Sequence, residues 1–250
     1  GMDWNGERGW YRKDDWQTSE YMRVNYFWES EKLINEIRQL QPGIMINNRG
    51  GWEGDFHVRE RRIDGMRTDK PWDSNDCIAD SWGRPVLPLR QLIQNLVSIV
   101  VRDGNYLLNI GPDGTGKMDE EQVERLRQAG EWLSKYGETL YGLRGGPVIA
   151  DRWGGTTYRD NIVYVHILEW EKDQITFEIP GNTMEKWKVI SGGKAELTEE
   201  NGTFSISVPI PERDSIDTIL KLTFAEPIVW EGCKGRENDV YGLADGLKEE

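Results

Sequence analysis

"NYLLNIGPDGTGKMDEE", Asn105 to Glu121, joins an apolar run to a glycine-rich turn and then to an acidic segment. "NYLLNI" is apolar at nearly every position, which is the pattern of a strand covered on both faces. The turn that follows, Gly111 to Lys117, fits G-x-x-x-x-G-K, most of the phosphate-cradling loop of nucleotide hydrolases. That loop also needs a Ser or Thr after the lysine to hold Mg²⁺, and here the place is Met118. Asp119 followed by Gln122 reads as an N-cap with its capping-box partner, so Lys117 falls outside the helix. Glu120 and Glu121 then fill the first helical turn, where they repel phosphate at the positive end of the dipole. The stretch is therefore a strand, a turn and a helix, not a nucleotide site.

The same alternation extends outward on both sides. "LPLRQLIQNLVSIVVRDG" carries Leu89, Leu92, Leu96 and Val100 at helical spacing, with Ile93 and Val97 widening the stripe, and closes at Asp103-Gly104. Asp119 to Tyr136 reads as a further helix stopped by Gly137. Toward the amino end, Leu33, Ile34, Ile37 and Leu40 mark a helix ended by Pro42 and Gly43, and "GIMINN" (Gly43–Asn48) reads as a buried strand. The charged stretch "RGGWEGDFHVRERRIDGMRTDKPWDS" is expected to be a long loop, with a short strand near Asp76–Asp80. Helices alternating with short buried strands imply βα units and a parallel sheet, with functional loops at the strands' carboxyl ends.

After about Gly145 the period changes to two. "NIVYVHILEW", "QITFEI", "KWKVIS", "TFSISV" and "TILKLTF" alternate, separated by turns such as Pro180-Gly181-Asn182 and Asn201-Gly202. This predicts an antiparallel β-sandwich. The expected domains are 1–145 for the α/β part, 146–228 for the sandwich and 229–250 for a polar tail.

Composition narrows the function. A formal charge of −13 makes DNA or RNA an unsuitable partner. Two cysteines and two histidines give neither a disulfide framework nor zinc-site spacing, so no metal or other cofactor is expected. No apolar run approaches the ~18 residues that a membrane-spanning helix needs. The chain opens with Gly1 rather than methionine, which leads to the expectation of a processed or partial chain. Tryptophan is abundant, at 12 of 250 residues, and several lie in polar stretches (Trp4, Trp10, Trp52, Trp72, Trp82, Trp153). Indole faces among carboxylates suit sugars, whose C–H faces stack on rings. With histidine scarce, carboxylates are the acid–base candidates. There are 44 of them, so position must select, and "INNRGGWEGDFHVRE" lies beyond a predicted strand among glycines and aromatics.

"LQPGIMINNRGGWEGDFHVRERRI", "PWDSNDCIADSWG" and "RDGNYLLNIGPDGTGKMDEEQVERLRQAGEWLSKYGETLYG" resemble, in order, the later half of the α-L-fucosidases of glycoside hydrolase family twenty-nine. The resemblance implies a partial (β/α)₈-type barrel, its carboxyl-terminal half, followed by a β-sandwich. It also implies retaining hydrolysis of α-L-fucosides, with a fucosylated oligosaccharide or glycoconjugate as substrate. Such enzymes use one carboxylate as nucleophile and another as acid/base, ~5 Å apart. By motif, Glu60 of "GDFHVRE" corresponds to the acid/base, for which a partly desolvated site must favour its protonated form; read from the residues alone it is a surface glutamate. It follows Val58-Arg59 where the family pattern has Thr-Pro or Thr-Ala. Arg49 corresponds to a substrate-orienting arginine, or else makes a structural salt bridge. Trp82 corresponds to the aromatic wall that meets the sugar's methyl group, or else packs in the core. Asp55 orders the loop rather than reacting.

For the nucleophile two alignments stay open. It is Asp3, or Gly1 is the glycine after it and the nucleophile precedes the chain. Only about 145 residues precede the predicted sandwich, against the ~200 or more that a full barrel needs. The expectation is therefore a fragment inactive alone, pairing with the missing amino-terminal half or another chain. A non-catalytic carbohydrate-binding or assembly protein is the rival reading.

Overall fold

A computed structural model of the chain describes residues 29–50, 54–63, 65–79, 85–233 and 241–242. The chain divides into two compact units, Gly1–Val58 with Lys70–Asp73, and Arg59–Asp69 with Ser74–Glu250.

In the first unit, helix α1 (Ser30–Leu40) buries Ile34 and closes where the Gln41 amide donates to the Ile37 carbonyl at 2.8 Å. Pro42 and Gly43 form the turn after it. The strand expected at Gly43–Asn48 is reduced to one parallel bridge, Asn47 to Phe56. The reason lies in Asp55. Its backbone amide donates to the Ile46 carbonyl and its carboxylate accepts the Ile46 amide, both at 2.8 Å. Loop partners thus take the groups a strand ladder would use.

The expected long loop contains β1 (His57–Glu60), the two-residue β2 (Arg62–Ile63) and the start of β3 (Trp72–Cys77). The strand predicted near Asp76–Asp80 therefore begins earlier. β3 is buried at Trp72, Ser74 and Asp76 in strict alternation, a period hidden because most of those residues are polar. Bonds from His57 to Pro71 and from Arg61 to Asn75 keep a constant offset, so β1 and β3 run parallel.

Helix α2 (Leu89–Val100) follows and buries Leu92, Ile93, Val97 and Ile99. It closes at Asp103, whose φ of 65° is left-handed, as Gly104 donates back to the Ile99 carbonyl. β4 (Asn105–Asn109) joins a three-stranded sheet in the order β1-β3-β4. The Ile78 amide bonds the Asn109 carbonyl at 2.8 Å, so the carboxyl ends of β3 and β4 lie together. Among the described residues, apolar packing on β4 comes from one face. Leu108 and Ile110 pack on the helices, while Leu107 is 46% exposed.

The turn reading of Gly111–Lys117 holds. Oδ1 of Asp113 accepts the amides of Thr115 and Lys117 at 2.8 and 3.1 Å, so two amides a phosphate would need are occupied. Helix α3 (Glu120–Tyr136) starts at Asp119, which accepts the Glu121 amide at 2.9 Å. Gln122 is not the capping-box partner. It is 1% exposed, and its carboxamide oxygen takes the Gly111 amide at 3.0 Å, fastening the turn to the helix.

Beyond α3, β5 (Arg144–Gly145), β6 (Gly154–Arg159), β7 (Ile162–Ile167), β8 (Gln174–Glu178), β9 (Met184–Ser191), β10 (Glu196–Glu200), β11 (Thr203–Ser207) and β12 (Thr218–Phe224) build two antiparallel sheets. Their orders are β5-β6-β7-β12-β9 and β10-β11-β8, and β13 (Tyr241–Gly242) pairs separately with β2. Val163, Val165 and Ile167 meet Phe177, Phe204, Ile206 and Phe224 between the sheets. On the other face of the five-stranded sheet, Tyr164 and Ile219 join the cluster of α2 and α3. β7 is accordingly buried at five consecutive positions, so the predicted alternation gives way where both faces are covered.

Phe204 is wholly buried, stacked on Phe177 at 5.6 Å and edge-on to Phe224 at 5.8 Å. Phe204→Ala is expected to cost about 3–5 kcal/mol, seen as a lower urea midpoint at unchanged slope. A shift under about 1 kcal/mol contradicts a close-packed contact between the sheets.

Candidate active site

Glu60 is the last residue of β1 and is exposed at the carboxyl end of a parallel strand. Arg61 then takes a left-handed conformation (φ 51°), which ends the strand. The Arg61 amide donates to the Asn75 carbonyl at 2.8 Å, and its Nε stands 3.5 Å from Oδ1 of Asp76. Asp76 is 4% exposed. Oδ1 accepts the Cys77 amide at 2.8 Å and Oδ2 accepts the Tyr106 hydroxyl at 3.2 Å. Burial pushes the Asp76 carboxyl above the usual range, and the negative charge of Glu60 adds to that, against the pull of Arg61 and the two hydrogen bonds. Burial, then the charge of Asp76, pushes the Tyr106 phenol upward, so it stays protonated and donates. The end of β1 is thus tied to β3 and β4 by a buried carboxylate that sequence reading passed over. Its only signal was an acidic residue alternating with Trp72 and Ser74.

Arg49 lies in the first unit, in a 3-10 turn from Asn48 to Gly50. Its amide donates to Oδ1 of Asn47 at 3.1 Å, while Oδ1 of Asn48 accepts the Val58 amide at 3.0 Å. Gly54 passes so close that a Cβ there would stand 2.6 Å from the Asn48 nitrogen, and its φ is 73°. The side chains of Asn47 and Asn48 therefore shape the turn that carries Arg49, a role their amide groups could have signalled. Asp55 orders the loop as expected, with both carboxylate oxygens 2.7 Å from Arg38. Glu60 belongs to the second unit. Asp3 and Trp82 lie outside the described residues. Among the described residues no group of three or more His, Cys, Asp or Glu could hold a metal ion, and no helix is long and apolar enough to cross a membrane.

The profile of the family described as alpha-L-fucosidase matches residues 4–138. Human plasma alpha-L-fucosidase is 35% identical over 177 residues, covering 62% of this chain and 38% of that protein. The alpha-fucosidase structure of Thermotoga maritima aligns with a TM-score of 0.62 at 26% identity, covering 78% of this chain and 49% of that one. A Bacteroides thetaiotaomicron alpha-L-fucosidase, trapped as a covalent intermediate in complex with 2-fluoro-fucosyl fluoride, aligns with a TM-score of 0.68 at 21% identity, covering 84% and 55%. The chain spans 38 to 47% of the length of the curated α-L-fucosidases it matches.

Hydrogen bonds from Arg38 and then from the Ile46 amide hold the Asp55 carboxyl below its ordinary value. A depressed carboxyl stabilises the fold above its unfolded pKa and loses that contribution as pH falls through the folded value. Asp55→Asn is therefore expected to lower the melting temperature at neutral pH, with the gap to the parent chain closing as the pH drops below the usual carboxylate range. A gap that stays constant with pH excludes this role for the Asp55 charge.

Proposed function

The chain belongs to the α-L-fucosidase family, and we propose that it supplies the acid/base half of a retaining α-L-fucoside hydrolase. Residues 1–145 are then the carboxyl-terminal half of a (β/α)₈-type barrel, 146–228 a β-sandwich and 229–250 its polar tail. The observation that carries the proposal is the position of Glu60, exposed at the carboxyl end of a parallel strand, within the stretch that matches the family. Support for a half-barrel comes from the order β1-β3-β4, with α2 connecting β3 to β4. Support for retention comes from the covalent intermediate named for the Bacteroides protein, since a glycosyl-enzyme is the hallmark of that route.

In this mechanism Glu60 donates its proton to the glycosidic oxygen as the second carboxylate attacks the anomeric carbon. It then removes a proton from the water that releases the sugar. Asp3 is the candidate nucleophile, with a residue before Gly1 as the alternative. Arg49 orients the substrate through a forked guanidinium, and Trp82 meets the methyl face of fucose. The substrate is a fucosylated oligosaccharide or glycoconjugate, and the chemistry proceeds without a metal. General acid catalysis needs Glu60 protonated near neutrality, which calls for burial. Its exposure in this chain is the reason for proposing that the 250 residues do not turn over fucosides unaided and that the remaining wall comes from the part of the relatives' length that this chain does not span.

An aryl α-L-fucoside assay tests this. The chain alone is expected to be inactive, and to turn over the substrate when assembled with a family amino-terminal portion. In that assembly Glu60→Gln lowers kcat/KM by roughly 10²–10⁴-fold, and Asp3→Asn identifies or dismisses the nucleophile. Fucoside binding without turnover in the assembly removes the enzymatic reading, and full activity of Glu60→Gln removes Glu60 as the acid/base.

A further inference from the structure

Beyond β12, the described residues up to Cys233, of which 229–233 fall in the expected polar tail, bond and pack against the rest of the second unit. Asn182 donates to the Glu226 carbonyl at 2.8 Å and accepts the Glu226 amide at 3.3 Å. The Ile228 amide donates to the Asp160 carbonyl at 2.7 Å. Trp230 lies over Gly146, where a Cβ would stand 2.3 Å from the indole, and meets Tyr158 edge-on at 6.1 Å. Gly232 sits against Thr68, leaving no room for a side chain.

Cys233 then makes a four-bond clamp. Its carbonyl accepts the Thr68 amide at 3.0 Å and the Thr68 hydroxyl at 3.2 Å. Its amide donates to the same hydroxyl at 3.0 Å, and its thiol donates to the Met66 carbonyl at 3.1 Å. Burial, followed by the charges of Asp69 and Asp103, pushes the thiol upward, so it remains an S–H donor. Further on, Tyr241 pairs with Ile63 and Gly242 with Arg62, directly after the turn that follows Glu60.

We propose that residues 226–233, together with the Tyr241–Gly242 pairing, act as a strap that positions Glu60, with Thr68 and Cys233 as its positioning residues. The segment 61–69 is mostly polar and charged, with Ile63 and Met66 as its buried apolar side chains. Such a loop buries too little to offset its own ordering entropy, and backbone pairing with a second segment supplies the restraint. By holding Arg62, Ile63, Met66 and Thr68, the strap fixes the exit of β1 and therefore the direction of the Glu60 carboxylate. The functional part of this inference rests on the reading of Glu60 as the acid/base.

Three variants test it: a chain ending at Glu231, Thr68→Val in the full chain, and Thr68→Ser, which keeps the hydroxyl. Amide hydrogen exchange is read at residues 61–69 against 218–224. The ¹³C carboxyl resonance of Glu60, assigned by its loss in Glu60→Gln, reports the acid directly. The shortened chain and Thr68→Val are expected to exchange roughly tenfold faster at 61–69 with 218–224 unchanged, and to shift the Glu60 resonance. Thr68→Ser restores both. Unchanged exchange at 61–69 overturns the strap, and faster exchange with an unmoved Glu60 resonance overturns its positioning role. Should the shortened chain fail to fold, Thr68→Val decides alone. Neither readout needs turnover, so a failure of the fucosidase reading shows in the assay and leaves these measurements standing.

Discussion

A sheet that meets apolar side chains on both faces is the constraint on which the second unit depends. β7 and β12 send Val163, Val165, Leu220 and Leu222 toward the three-stranded sheet and Tyr164 and Ile219 toward α2 and α3. Each such side chain contributes about 1.5–3 kcal/mol by leaving water. The polar groups trapped in the same layer must then find partners. His166, wholly buried, has Nδ1 2.7 Å from Asp217 and Nε2 3.3 Å from the Thr139 carbonyl, which also accepts the Thr157 hydroxyl at 2.7 Å. This set ties the turn after α3 to β6, β7 and the start of β12.

The helices so fixed in turn set the strands that lead to the candidate site. Leu108 and Ile110 pack into the helical cluster, and Gln122 fastens the turn after β4. The junction between α2 and β5 is equally tight. Arg144 grips Asp103, and a Cβ on Gly145 would stand 2.5 Å from the Asp103 nitrogen. From β4, Tyr106 reaches Asp76, and Asp76 pairs with Arg61 beside Glu60. A chain of packed and hydrogen-bonded groups thus runs from the facing sheets to the end of β1.

The sequence alone determined the helices at Leu89–Val100 and Glu120–Tyr136, because a 3.6-residue apolar stripe is a local signal. It also determined the period-two strands after Gly145, the rejection of Gly111–Lys117 as a phosphate loop, and the motifs that mark the family. Only the tertiary structure decided β1 and β3, the failure of Gly43–Asn48 to form a strand, the inward turn of Gln122, the Asp76 cluster and the return of the carboxyl-terminal segment to Ile63 and Thr68. The reason is common to all of them. A polar residue carries no pattern of its own that says whether it will meet water or a partner, and the partner lies at no fixed spacing: Ile46 is 9 residues from Asp55, while Cys233 is 165 from Thr68. Burial and hydrogen bonding there are properties of the pair, created when the chain folds.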